Sequence, residues 1–73
     1  MVEEIRAEMV GTVLSVVARE GDRVADGDTL LVLESMKMEI PVLAEVPGTV
    51  AELVVGAGDV VNDGDPLVVI TTA

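Results

Sequence analysis

Shifting the chain against itself by 37 residues aligns its two halves without a gap, so any fold it adopts must build one pattern twice. Gly11-Thr12-Val13 returns as Gly48-Thr49-Val50, Gly21-Asp22 as Gly58-Asp59, and Asp26-Gly27-Asp28 as Asp63-Gly64-Asp65. Val17, Val24, Leu30 and Val32 return as Val54, Val61, Leu67 and Val69, so 12 of the 26 pairs from residue 11 to 36 are identical. Earlier pairs add Met1 with Met38, Ala7 with Ala44 and Glu8 with Glu45. Two copies of one β unit is the economical reading. The offset also divides the 73 residues into 36, then Lys37, then 36 more, and Lys37 is the sole lysine.

Each unit reads as short strands separated by Gly and Asp, the residues that supply the backbone angles of turns. Hydrophobic residues make up 51% of the chain and none is aromatic, so the core is expected to consist of Val, Leu, Ile, Ala and Met. The dominance of Val favours strands. Stretches 12–18 and 49–55 are the longest, with Leu14, Val16 and Ala18 expected on one face, matched by Ala51, Leu53 and Val55. Asp26-Gly27 and Asp63-Gly64 are tight-turn dipeptides leading into strands at 30–33 and 67–70. Pro66 falls at a strand start and Pro41 inside a short run, both tolerable at sheet edges. No segment keeps a helical period. We expect a single all-β domain over residues 1–73. It is a flattened β-barrel or sandwich of two pseudo-twofold-related halves, each contributing about four strands.

Composition excludes several functions. Without Cys or His the chain has no thiol chemistry, no Ser-His or Cys-His catalysis and no Cys/His zinc site, so it is not expected to be an enzyme by itself. The pairs Asp26 with Asp28 and Asp63 with Asp65 lack the continuing acidic pattern of a calcium loop, and no metal is expected. A formal net charge of -10 repels phosphate backbones and anionic lipids, which disfavours nucleic-acid and membrane roles. There is no basic leader and no apolar run of about 18 residues, and the expected compartment is the cytoplasm. Because both halves are complete, the chain is expected to be free-standing.

Lys37 lies between the strand-like runs Leu30 to Leu33 and Met38 to Leu43, where a hairpin connection fits. Side chains at such a tip project into solvent from a rigid base, and the methionines beside this one are flexible apolar groups suited to adaptable contacts. If a pseudo-twofold relates the halves, the position equivalent to Lys37 is one past Ala73, so the lysine turn and the chain ends fall at opposite ends of the domain.

The sequence Glu34-Ser35-Met36-Lys37-Met38-Glu39 resembles the attachment motif of biotinyl domains, the biotin carboxyl carrier proteins, which typically read Glu-Ala-Met-Lys-Met. Similarity runs from Gly11 to Ile70, including the Gly-Asp turns and Pro47-Gly48. Ser35 stands for the usual Ala, a small residue for a small one. Ala7-Glu8-Met9-Val10-Gly11 stands for Ala-Pro-Met-Pro-Gly, and loss of both prolines is expected to loosen the first strand. No thumb insertion is present, so the resemblance is to a minimal, thumbless carrier.

The resemblance implies a barrel-sandwich hybrid fold and a non-catalytic carrier in which a biotin protein ligase joins biotin to Lys37 as an amide. Biotin carboxylase and carboxyltransferase subunits would then be the partners, with Met36 and Met38 as contact candidates. The nearest alternative is a lipoyl carrier of a 2-oxo acid dehydrogenase or glycine cleavage system, whose turn usually reads Asp-Lys-Ala, which Met36 and Met38 do not match. An alternative of another class is an unmodified β adaptor.

Overall fold

A computed structural model describes residues 1–72, and among these there is no helix. Eight strands follow in order: β1 (Val2–Arg6), β2 (Gly11–Val16), β3 (Arg23–Val24), β4 (Thr29–Ser35), β5 (Met38–Leu43), β6 (Gly48–Leu53), β7 (Val60–Val61) and β8 (Pro66–Thr71). They form two antiparallel four-stranded sheets, ordered β1-β8-β6-β3 and β5-β4-β2-β7. A shift of 37 residues carries β1–β4 onto β5–β8, and it carries each sheet onto the other strand for strand.

The halves do not pack as two separate sheets. Each sheet takes two strands from each half, so neither half can complete its hydrogen bonds alone. Matched backbone bonds close the exchange: Gly21 N–H donates to Val50 O at 2.8 Å and Val50 N–H to Asp22 O at 2.9 Å. Their counterparts, Gly58 N–H to Val13 O and Val13 N–H to Asp59 O, are both 2.8 Å. The turns that make these bonds are set by their own carboxylates. Asp22, Asp28, Asp59 and Asp65 each accept from the backbone N–H three residues earlier, at 2.8–2.9 Å. Gly27 and Gly64 have φ of 94° and 91°, a region an L side chain rarely adopts. These Gly and Asp residues are thus turn formers.

The core is a single aliphatic cluster on the inner faces, with Val13, Leu30, Leu31, Leu33 of one half against Val50, Leu67, Val68, Ile70 of the other, each 2% exposed or less. One expectation fails here. The strict alternation read across 12–18 is broken at Leu14, which is 40% exposed, while Val13 is buried. The register with β4 steps from Val13↔Leu33 to Ser15↔Val32, leaving Leu14 as the extra residue of a bulge. Ala51 repeats the break in β6, between Val50↔Ile70 and Glu52↔Val69. Beyond each bulge the inward face resumes at Val16 and Ala18, and at Leu53 and Val55. β1 is paired along its length with β8, and Ala7 is tied to the second half by bonds with Asp65 and Gly64, both 2.8 Å.

Strand crossings need close backbone approach at two equivalent glycines. A Cβ on Gly48 would collide with the Thr71 carbonyl oxygen and stand 2.8 Å from Ile70 Cγ2, whereas on Gly11 it would stand 2.9 Å from the Glu34 oxygen. Gly48→Ala is therefore expected to lower the unfolding free energy by about 1–3 kcal/mol, and Gly11→Ala by less, as read by urea denaturation. Equal or reversed costs would contradict the packing described.

Candidate functional site

β4 and β5 form a hairpin whose register runs without interruption from Leu31↔Val42 to Ser35↔Met38. That leaves Met36 and Lys37 alone to reverse the chain. Their φ values are 54° and 65°, the left-handed conformation that both central residues of a type I′ turn require. Such turns normally use Asn-Gly or Gly-Gly. Met and Lys are held there at a cost of about 1–2 kcal/mol each, which the pairing of the flanking strands must offset. The β8–β1 pair is the counterpart of this hairpin, and there Thr72 N–H donates to Met1 O at 2.8 Å. Met1 and Thr72 thus lie where the equivalent hairpin has its turn.

The structure brings all six motif residues together on this hairpin. Lys37 is exposed, and among the described residues the sole ion pair is Arg6 with Glu4, so no carboxylate holds the lysine amine. Met36 is 89% exposed and Met38 59%, so neither is buried against the sheet. Glu34 and Glu39 sit directly opposite one another across the hairpin, both exposed. Like charges so placed destabilise a strand pair by a fraction of a kcal/mol, about 0.2–1, so the pair adds nothing to folding. Ser35 does more than fill space: its hydroxyl donates to Val10 O at 2.9 Å, pinning the end of β4 to the segment before β2. Val10, itself 59% exposed, joins the apolar surface at this end.

Sequence reasoning missed two of these features. Nothing in the dipeptide Met-Lys signals a left-handed turn; the signal lies in how few residues separate two strands of matched length. Ser35 was read only as a size substitution, and its partner Val10 lies 25 residues away.

The site is thus one exposed amine, unpaired among the described residues, on a two-residue turn of an all-β domain. Comparison with known proteins bears on its use. Residues 3–70 match the family model described as biotin-requiring enzyme, and the chain belongs to that family. It is similar to a biotinylated protein TB7.3 homolog of Mycolicibacterium smegmatis, 65% identical over 43 residues, which are 59% of this chain and 61% of that protein. It also resembles the 1.3S subunit of methylmalonyl-CoA carboxyltransferase from Propionibacterium freudenreichii, 56% identical over 36 residues, 49% of this chain and 29% of the subunit. Among solved structures, a single-chain, multi-domain long-chain acyl-CoA carboxylase aligns with a TM-score of 0.92 at 39% identity, over 99% of this chain and 7% of that one. The matched stretches thus span less than two thirds of these relatives. The fold is that of the carrier domains of such carboxylases.

The strained turn yields a direct test. Asn tolerates the left-handed region, so Met36→Asn is expected to raise the unfolding free energy by about 1 kcal/mol, measured by urea denaturation. Unchanged or reduced stability would contradict the turn geometry.

Proposed function

We propose that the chain is a biotin carboxyl carrier whose Lys37 is the attachment residue. The observation that carries this reading is the exposed, unpaired Lys37 amine on a two-residue left-handed turn, in a chain of the biotin-requiring family. The residues present fit the group. Nothing among the described residues covers the turn, and the flanking methionines offer apolar surface to a bicyclic ring or to an enzyme cleft.

The chain's own residues do three things. Lys37 supplies the nucleophile: a biotin protein ligase presents the biotinyl adenylate, the neutral amine attacks its carbonyl carbon, a C–N bond forms, and the bond to AMP breaks as the amine loses its proton. An amine is nucleophilic only when neutral, so the ligase has to assist that proton transfer. The left-handed turn and the β4–β5 register project the side chain along the hairpin, away from the core. Met36, Met38 and Val10 form the apolar rim that a ligase and, later, carboxylase sites would touch. Biotin, when bound, supplies a ureido nitrogen that takes up a carboxyl group at a biotin carboxylase and releases it at a carboxyltransferase. Tethering keeps that group at high effective concentration near both sites. The chain contributes no catalytic group of its own, and we place this activity in the cytoplasm.

Intact mass spectrometry tests the proposal. With biotin, ATP and a biotin protein ligase the chain is expected to gain one biotin, Lys37→Arg none, and a lipoyl ligase is expected to add nothing. A lipoyl gain without a biotin gain would favour the lipoyl carrier, and an unmodified mass in both reactions would favour a β adaptor. A Met36→Ser/Met38→Ser pair is expected to slow biotin addition about tenfold, the loss of about 1.4 kcal/mol of ligase binding, with Lys37 intact.

A further inference from the structure

The internal repeat makes one asymmetry conspicuous. Arg6, at the end of β1, donates from Nη1 to the carbonyl oxygen of Gly64 at 2.8 Å and pairs with Glu4. The position equivalent to Arg6 in the second half is Leu43, and the carbonyl equivalent to that of Gly64 belongs to Gly27. No described residue donates a hydrogen bond to Gly27 O. Beside it the edges of β1 and β5 leave a groove of about 400 Å³, lined by Gly27, Leu43, Ile5, Ile40 and Val42 among others. That volume falls within the range of about 300–1,000 Å³ of ordinary ligand sites. Glu8, Asp26 and Glu45 stand on its walls, and none of their carboxylates accepts a hydrogen bond from a described residue. One half of the repeat thus satisfies its turn with a guanidinium, and the other presents the same turn open, over an apolar floor.

We propose that the groove between β1 and β5 receives an arginine flanked by aliphatic residues from a partner protein, its guanidinium meeting the Gly27 carbonyl as Arg6 meets that of Gly64. Charge complementarity favours this occupant: among the described residues three acidic ones whose carboxylates accept no hydrogen bond line the groove, and the one cation lining it, Arg6, is already engaged. A guanidinium presents five N–H donors in a planar fork, so it can serve a carbonyl and a carboxylate together, which an ammonium does less well. The flanking aliphatic groups bury against Ile40, Val42 and Leu43. Strand addition along β5 is disfavoured, because Pro41 has no N–H to donate at that edge. Ile40 is three residues from Lys37, so the groove begins about 10 Å along the hairpin from the lysine turn. A partner held there grips the shaft of the hairpin and leaves its tip free. This contact forms whether or not Lys37 is acylated.

The experiment is a titration of the full, isotopically labelled chain, unmodified, with an acetylated and amidated Leu-Arg-Leu peptide into the millimolar range, followed by amide chemical shifts. Expected are shifts confined to residues 5–8, 26–27 and 40–45, weakening with salt, and binding at least about fivefold weaker for the same peptide with citrulline, the uncharged isostere. Leu43→Arg supplies the missing guanidinium in cis and is expected to abolish peptide binding. Glu8→Gln with Glu45→Gln, both on the surface, is expected to weaken it about fivefold without touching the core. Absence of shifts, shifts spread over the acidic surface, equal binding of the citrulline peptide, or undiminished binding by these variants would each overturn the proposal.

Discussion

The structure rests on a reciprocal exchange of backbone hydrogen bonds between its two halves. Val13 and Val50, equivalent residues of the repeat, each donate to and accept from the Gly-Asp turn of the opposite half, over 2.8–2.9 Å. Because β3 pairs with β6 and β7 with β2, each across the two halves, folding one copy alone would leave edges and turns unpaired. A 73-residue chain without aromatics, Cys or His has little surplus burial to draw on. Interlocking solves that problem by making one continuous aliphatic core from two weak units, with matched backbone bonds between each Gly-Asp turn and the opposite half.

That frame is what makes the lysine turn possible. Left to local preference, Met36-Lys37 would not adopt two successive left-handed residues. The uninterrupted β4–β5 register brings Ser35 opposite Met38 and allows no longer loop, while the Ser35 hydroxyl anchors the strand end to Val10. Stability gathered in the core is therefore spent at the tip, where the consequence is a fixed direction for one side chain. Among the described residues no ion pair forms at Lys37, and Glu34 faces Glu39 across the strands, so the charges at the tip add nothing to the stability that holds it.

How much of this was legible in the sequence follows from which forces are local. The repeat and its Asp-Gly and Gly-Asp turns pointed to two four-stranded halves, because turn residues act through their own backbone and carboxylates, as Asp28 and Asp65 do. Period-two reading misplaced Leu14, since Val13 and Leu14 are both apolar and only tertiary pairing reveals which of them the bulge turns outward. The hairpin position of Lys37 could be inferred from the flanking strands. Its left-handed backbone could not, because that conformation is imposed by strand register and runs against the propensity of Met and Lys. The Ser35–Val10 bond and the open Gly27 carbonyl likewise depend on residues far apart in sequence.

The central claim is that the interlocked sheets hold the Met36-Lys37 turn rigid, so that the amine is displayed on a fixed base. Backbone ¹⁵N relaxation on the full chain measures this most directly. The account predicts order parameters at Met36 and Lys37 near the about 0.85 of rigid backbone, and values below about 0.6 would contradict it.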